Sequence, residues 1–165
     1  MTESDRSISV TRLNHAVLYV RDLDQAVDFY RKAFGFEEIA REGGRMAFLR
    51  AAGSTNHHDL GLMEVGSQAP QPPPGSTGLY HLAWEVPTIE DLVDASSVLA
   101  ELGALVGQSD HGATKSLYAR DSDGNEFEIM WMVPRDQWGE FKRRGIVAPL
   151  DLEGELARFG GTRGD

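Results

Sequence analysis

The chain has no cysteine among its 165 residues, which excludes disulfides, thiolate metal ligands and a thiol nucleophile at once. Positive charge is scarce, with 16 Lys and Arg against 26 Asp and Glu and a formal net charge of −10. A phosphate-binding face needs clustered Lys and Arg, so nucleic acid is excluded as a partner. Nowhere do the roughly 18 consecutive apolar residues of a membrane-spanning helix occur. The opening MTESDRSISV lacks the apolar core of a signal peptide, and the expected compartment is the cytoplasm. Hydrophobic content of 41% and charged content of 25% are ordinary for a soluble domain with a real core.

What the chain does have is an internal repeat. Leu13-Asn14-His15-Ala16-Val17-Leu18-Tyr19-Val20 is answered by Leu79-Tyr80-His81-Leu82-Ala83-Trp84-Glu85-Val86. Each copy is an apolar strand with a histidine third, followed by an acidic amphipathic helix. The offset from His15 to His81 is 66 residues, and Leu23/Ile89 and Val27/Val93 keep it. Duplicated units place equivalent residues symmetrically once they pack, so the two histidines are expected to meet between the halves.

The first copy reads as a strand at 13–20, a helix over Asp22–Phe34 and strands near 36–42, 45–51 and 58–65. Asp22 caps the helix start and Gly35 ends it. Pro70, Pro72, Pro73 and Pro74 stiffen a polar connector. The second copy reads as a strand at 79–86, a helix at about 88–102 capped by Thr88, and strands near 104–109, 115–120 and 126–133, with a turn at Asp121-Ser122-Asp123-Gly124. The expected class is α+β: two tandem βαβββ modules, about 13–66 and about 78–133, joined by a connector at about 67–77. Extensions at 1–12 and 134–165 flank them. Leu150, Leu152, Leu156 and Phe159 predict a short helix packed on the body, with the last six residues frayed.

The chemistry concentrates on the strands that would face a shared cavity. In Asn125-Glu126-Phe127-Glu128-Ile129-Met130-Trp131, Glu128 is a carboxylate inside an apolar strand, which is costly unless it is paired or holds a metal. Subtracting the repeat offset from 128 gives Leu62, where no ligand stands. The predicted metal site is therefore His15, His81 and Glu128 with the fourth position vacant. Two imidazoles and one carboxylate suit non-haem Fe(II) and its oxygen chemistry, although Mn(II) and Zn(II) accept the same donors.

The runs LNHAVLYVRDLDQAVDFYRKAFGF, LYHLAWEV and SLYARDSDGNEFEI resemble the vicinal oxygen chelate superfamily over nearly everything from 13 to 133. That superfamily includes glyoxalase I, methylmalonyl-CoA epimerase, fosfomycin-resistance enzymes, bleomycin-binding proteins and type I extradiol dioxygenases. The resemblance implies one domain with its metal in a cupped sheet. Three further features are similar to catechol 2,3-dioxygenases: His58-Asp59-Leu60 to the strand carrying their acid–base histidine, His111-Gly112 to a pair lining their substrate pocket, and Tyr118, ten residues before Glu128, to a ring-cleavage residue. The implied activity is extradiol cleavage of a catechol-type diol by O2 at Fe(II), with His58, His111 and Tyr118 catalytic. Pocket walls are expected from Phe48, Trp84, Trp131 and Trp138.

This sequence departs from those enzymes in holding one copy of the domain, in a longer His58-to-His81 spacing and in a shorter loop after His111. The rival reading is a glyoxalase- or epimerase-like isomerase with Glu64 as fourth ligand. A drug-binding protein of the same fold needs no such donor set, and no basic anion-binding loop of a fosfomycin transferase is evident. A homo-oligomer is expected because the sheets have edges to cover.

Overall fold

The structure, a computed structural model, describes residues 8–162 and 164. Residues 1–7, in the N-terminal extension, and residues 163 and 165 of the expected frayed end lie outside that range. Module one runs β1 (Ala16–Val20), α1 (Leu23–Phe34), β2 (Glu37–Glu42), β3 (Met46–Arg50) and β4 (Leu60–Glu64). Module two runs β5 (Leu82–Glu85), α2 (Ile89–Glu101), β6 (Leu105–Asp110), β7 (Thr114–Arg120) and β8 (Glu126–Met132). The 66-residue offset survives in the fold, since it separates the starts of β1 and β5, of α1 and α2, and of β4 and β8.

Both helices begin where their caps dictate. Asp22 Oδ1 accepts from Gln25 N at 2.9 Å, Thr88 Oγ1 accepts from Asp91 N at 3.1 Å, and each bond satisfies a donor the first turn leaves open. Gly35 ends α1 at φ 64°, a left-handed conformation that glycine adopts without strain. The buried face of α1 is Leu23, Ala26, Val27 and Tyr30. Burial of Leu23 or Val27 stabilises by about 1.5–3 kcal/mol as an upper estimate.

Each module forms a four-stranded mixed sheet, ordered β1-β4-β3-β2 and β5-β8-β7-β6. Leu60 and Leu62 pack under α1, while Leu117, Ile129 and Trp131 pack under α2. The modules join through α1: Tyr30 Oη donates to Asp121 Oδ2 at 3.0 Å, and Phe34 packs edge-on against Trp84 and tilted against Phe127. The Asp121–Gly124 turn therefore does more than reverse the chain. Asp121 also accepts from Asp123 N, Asn125 N and Asn125 Nδ2.

Two corrections follow from register. The two parallel pairs are not identical: Val17 pairs with Gly61 and Leu18 with Leu62, whereas Ala83 pairs with Glu128 and Trp84 with Ile129. One residue of slip sends a side chain to the other face. The counterpart of Glu128 is thus Gly61 rather than Leu62, which is buried on the helix side. Trp84 and Trp131 likewise face the cores, against Phe34 and Phe159, and do not wall the site.

The predicted C-terminal helix is α3 (Leu152–Phe159), started by Asp151 and anchored by Phe159 in the core of module two. No helix among the described residues is long and apolar enough to cross a membrane.

Candidate functional site

The predicted residues fall into two groups, one on each module. On module two, His81 precedes β5 and Glu128 lies mid-way along β8. His81 Nε2 stands 3.1 Å from Glu128 Oε2. Glu128 is only 9% exposed, and its cross-strand partner is Tyr118, whose ring lies 5.7 Å from that of His81. Burial, and then the negative charge of Glu128, push the Tyr118 hydroxyl pKa up. Tyr118 Oη is 2.8 Å from His111 Nε2, so His81, Glu128, Tyr118 and His111 form one continuous polar cluster.

On module one, the His15 ring lies against His58 at 4.5 Å, and Phe48 packs on His58 at 4.9 Å. His15 Nδ1 is 3.0 Å from Asn14 Oδ1. An amide oxygen only accepts, so Nδ1 is the donor of this pair and Nε2 is the ring nitrogen left for a metal. His58 sits in the loop before β4, with its pKa lowered by burial first and then by its neighbours His15 and His57, against a smaller opposing effect of Asp59. It is therefore predominantly neutral near pH 7 and suited to accept a proton.

The loop carrying His58 is tied to the strand carrying His15. Asp59 accepts from Ala51 N, Ser54 Oγ and Asn56 Nδ2 at 2.9, 2.7 and 2.7 Å. Asn56 Nδ2 also donates to Asn14 O at 2.8 Å. Sequence reasoning singled out the His-Asp pair but not this role of the aspartate.

The structure does not bring the two groups together within the chain. Among the described residues no three His, Asp or Glu side chains converge on a point where a metal ion fits. A groove of about 1090 Å³ opens instead between β1 and β5, bounded by Val17, Tyr19, Tyr80 and the proline-rich connector. Glu64 belongs to neither group. Its Oε2 accepts from Leu23 N at 3.0 Å, at the start of α1, because β4 turns Glu64 to the helix side with Leu60 and Leu62. The isomerase alternative thereby loses its expected fourth ligand.

The donors of module two fit a divalent ion. Two atoms about 2.1 Å from one ion stand about 3.0–3.4 Å apart in octahedral or tetrahedral geometry, and the His81–Glu128 separation lies in that range. The other ring nitrogen of His81, Nδ1, is buried with no hydrogen-bond partner.

Two helix-backed βαβββ sheets with histidines at matching strand starts define a vicinal oxygen chelate fold. Residues 12–129 match the model of the Glyoxalase/Bleomycin resistance protein/Dioxygenase superfamily, and the chain belongs to that family. It is 33% identical over 156 residues to a catechol-2,3-dioxygenase of Bacillus subtilis, covering 93% of this chain and 54% of that protein. It is 34% identical over 120 residues to biphenyl-2,3-diol 1,2-dioxygenase 3 of Rhodococcus globerulus, covering 72% of this chain and 62% of that protein. The chain thus spans less than two thirds of the length of either relative. Among solved structures, a glyoxylase/bleomycin resistance protein/dioxygenase domain from Frankia sp. EAN1pec superposes with a TM-score of 0.64 at 25% identity, over 76% of this chain and all of that one.

Proposed function

We propose that this chain is an extradiol dioxygenase that cleaves a catechol-type aromatic diol with O2 at a mononuclear Fe(II) held by His15, His81 and Glu128. The observation that carries the proposal is the composition of the two groups. His81 and Glu128, at metal-ligand spacing, sit beside a Tyr118–His111 pair, while His15, with a free Nε2, sits beside a neutral His58. Relatives named as a catechol-2,3-dioxygenase and a biphenyl-2,3-diol 1,2-dioxygenase support it. When bound, the iron supplies a template that holds diol and oxygen adjacent, which removes much of the entropic cost of their encounter. His58 takes a proton from the diol, Tyr118, held by His111, orients its oxygens, and Phe48 packs on its ring.

The ligand set is completed by a second copy. Strands β1 and β5 each pair on one side only, and Leu13, Val17, Tyr19, Leu79 and Tyr80 stand exposed beside those free edges. A two-fold contact that sets module one of one copy against module two of the other gives two identical sites.

Anaerobic reconstitution with Fe(II), followed by catechol, 3-methylcatechol or 2,3-dihydroxybiphenyl and oxygen, tests the reaction. A yellow ring-opened product is expected, and its absence with all three would refute the reading. His58→Ala is expected to keep iron and lose turnover. Mixing His15→Ala with Glu128→Gln chains tests the assembly. Half of the random dimers then hold one fully native site, and about a quarter of the wild-type iron returns. No recovery places each site within a single chain.

A further inference from the structure

A neutral histidine with one ring nitrogen against a backbone carbonyl has no choice of tautomer. In its neutral form His111 is such a ring, with Nδ1 2.8 Å from the carbonyl oxygen of Ile146 and Nε2 2.8 Å from the Tyr118 hydroxyl. The carbonyl only accepts, so Nδ1 carries the proton. Nε2 then only accepts, so the hydroxyl proton of Tyr118 points at it. We propose that Ile146 is a positioning residue of the site: its carbonyl fixes His111 as the Nδ1–H tautomer and thereby turns the Tyr118 oxygen into an acceptor toward the bound ligand.

Ile146 lies beyond residue 129, where the family match ends, and the extension is built to hold its carbonyl still. Asp110 and Ala148 exchange backbone bonds of 2.9 and 3.0 Å. Gln108 Nε2 donates to Leu150 O at 3.3 Å. Lys115, 4% exposed, reaches Asp110 at 2.6 Å and Glu155 of α3 at 3.4 Å. Phe141 covers Gly112 so closely that a side chain there would collide with its ring, and the φ of +82° at Gly112 also requires glycine. The backbone on both sides of the His111 ring is thus pinned to the extension.

The consequence is a rule for the ligand: the group opposite Tyr118 must carry a hydrogen to donate, as an un-ionised hydroxyl does. The direction of the hydrogen bond stands whatever the reaction, whereas its meaning for a diol rests on the proposed function.

The test is direct. In the full-length metal-free chain labelled with 15N-histidine, at about pH 8 where an ordinary imidazole is neutral, the ring of His111 is expected to show a protonated Nδ1 and an unprotonated Nε2. His111→Asn identifies its signals among the five histidines. Tyr118→Phe is expected to leave the tautomer unchanged. Ala148→Pro, which removes the N–H donated to Asp110, is expected to shift it toward Nε2–H. Should that variant not fold, Phe141→Ala loosens the same segment. A wild-type Nε2–H ring, a tautomer that Tyr118→Phe reverses, or one that loosening the extension leaves untouched would each overturn the proposal. None of these signals depends on ring cleavage, so an inactive protein with Nδ1–H at His111 sinks the dioxygenase reading alone.

Discussion

Replacing Asp59 with alanine strikes the joint that holds His58 to His15. The carboxylate is 9% exposed and accepts three hydrogen bonds, from Ala51 N, Ser54 Oγ and Asn56 Nδ2. A hydrogen bond to an ionised partner contributes about 1.5–3 kcal/mol net. Ser54 and Asn56 are only half-buried and regain water, so the expected loss is about 3 kcal/mol rather than the full sum. For a chain of this size that corresponds to about 6–12 °C in Tm. Burial disfavours the charged form of Asp59, but the three donors and the neighbouring His58 outweigh it, and its pKa falls below the ordinary 3.8. A lowered carboxyl pKa gives stability that is present above the unfolded value and lost as pH falls through the folded one. Asp59→Asn removes the charge and keeps the shape, so the Tm gap between it and wild type should be constant from pH 7 down to about 5 and narrow as pH falls below about 3.8. Thermal melts across that range measure it. A gap that persists undiminished at about pH 2 refutes the ionised hydrogen-bonded role.

Three more outcomes are expected. Asn14→Ala removes the acceptor that orients His15, and on the proposed ligand set should weaken iron binding about 10–100-fold with little change in Tm, read by competition with a chelator. Lys115→Met strands the carboxylates of Asp110 and Glu155 without their shared cation. The cost should be about 3 kcal/mol, at the low end for broken buried pairs because both carboxylates are partly exposed, and urea titration showing less than about 1 kcal/mol would contradict it. Tyr30→Phe should cost only about 1 kcal/mol in the same assay, since Asp121 Oδ2 keeps the donor Asn125 Nδ2.

Much of the fold was legible because it is written in local chemistry. The caps Asp22 and Thr88, the stop at Gly35 and the 66-residue offset each fix an element without help from distant residues. The misreadings have long-range causes. The strand expected from 58 begins two residues later, since pairing starts at Leu60, and the Glu64 carboxylate that the rival reading needs as a ligand accepts from Leu23 N at the start of α1. The repeat offset pointed to Leu62 as the partner of Glu128, because a one-residue slip between the two parallel pairings leaves no mark in a sequence. Trp131 is aromatic and close to Glu128 in the chain, yet alternation along β8 buries it against Phe159. Asp121 read as a turn residue, and its bond to Tyr30 spans 91 positions. The Ile146 carbonyl was out of reach altogether, since every residue has one.

The same slip bears on chemistry. It leaves Gly61 at the position structurally matched to Glu128, and Gly61 is overlaid by Val17, whose Cγ2 would lie 3.1 Å from any added Cβ. A fourth protein ligand there needs both a longer residue at 61 and a displaced Val17. With Glu64 committed to the start of α1, neither candidate position on β4 supplies a carboxylate. A reaction that brings two reactants to one ion needs coordination positions the protein leaves empty, whereas the isomerase alternative was expected to draw a fourth ligand from the protein. The duplicated modules have diverged in the direction the first requirement demands: one retains a carboxylate beside its histidine, and the other has a glycine under a valine.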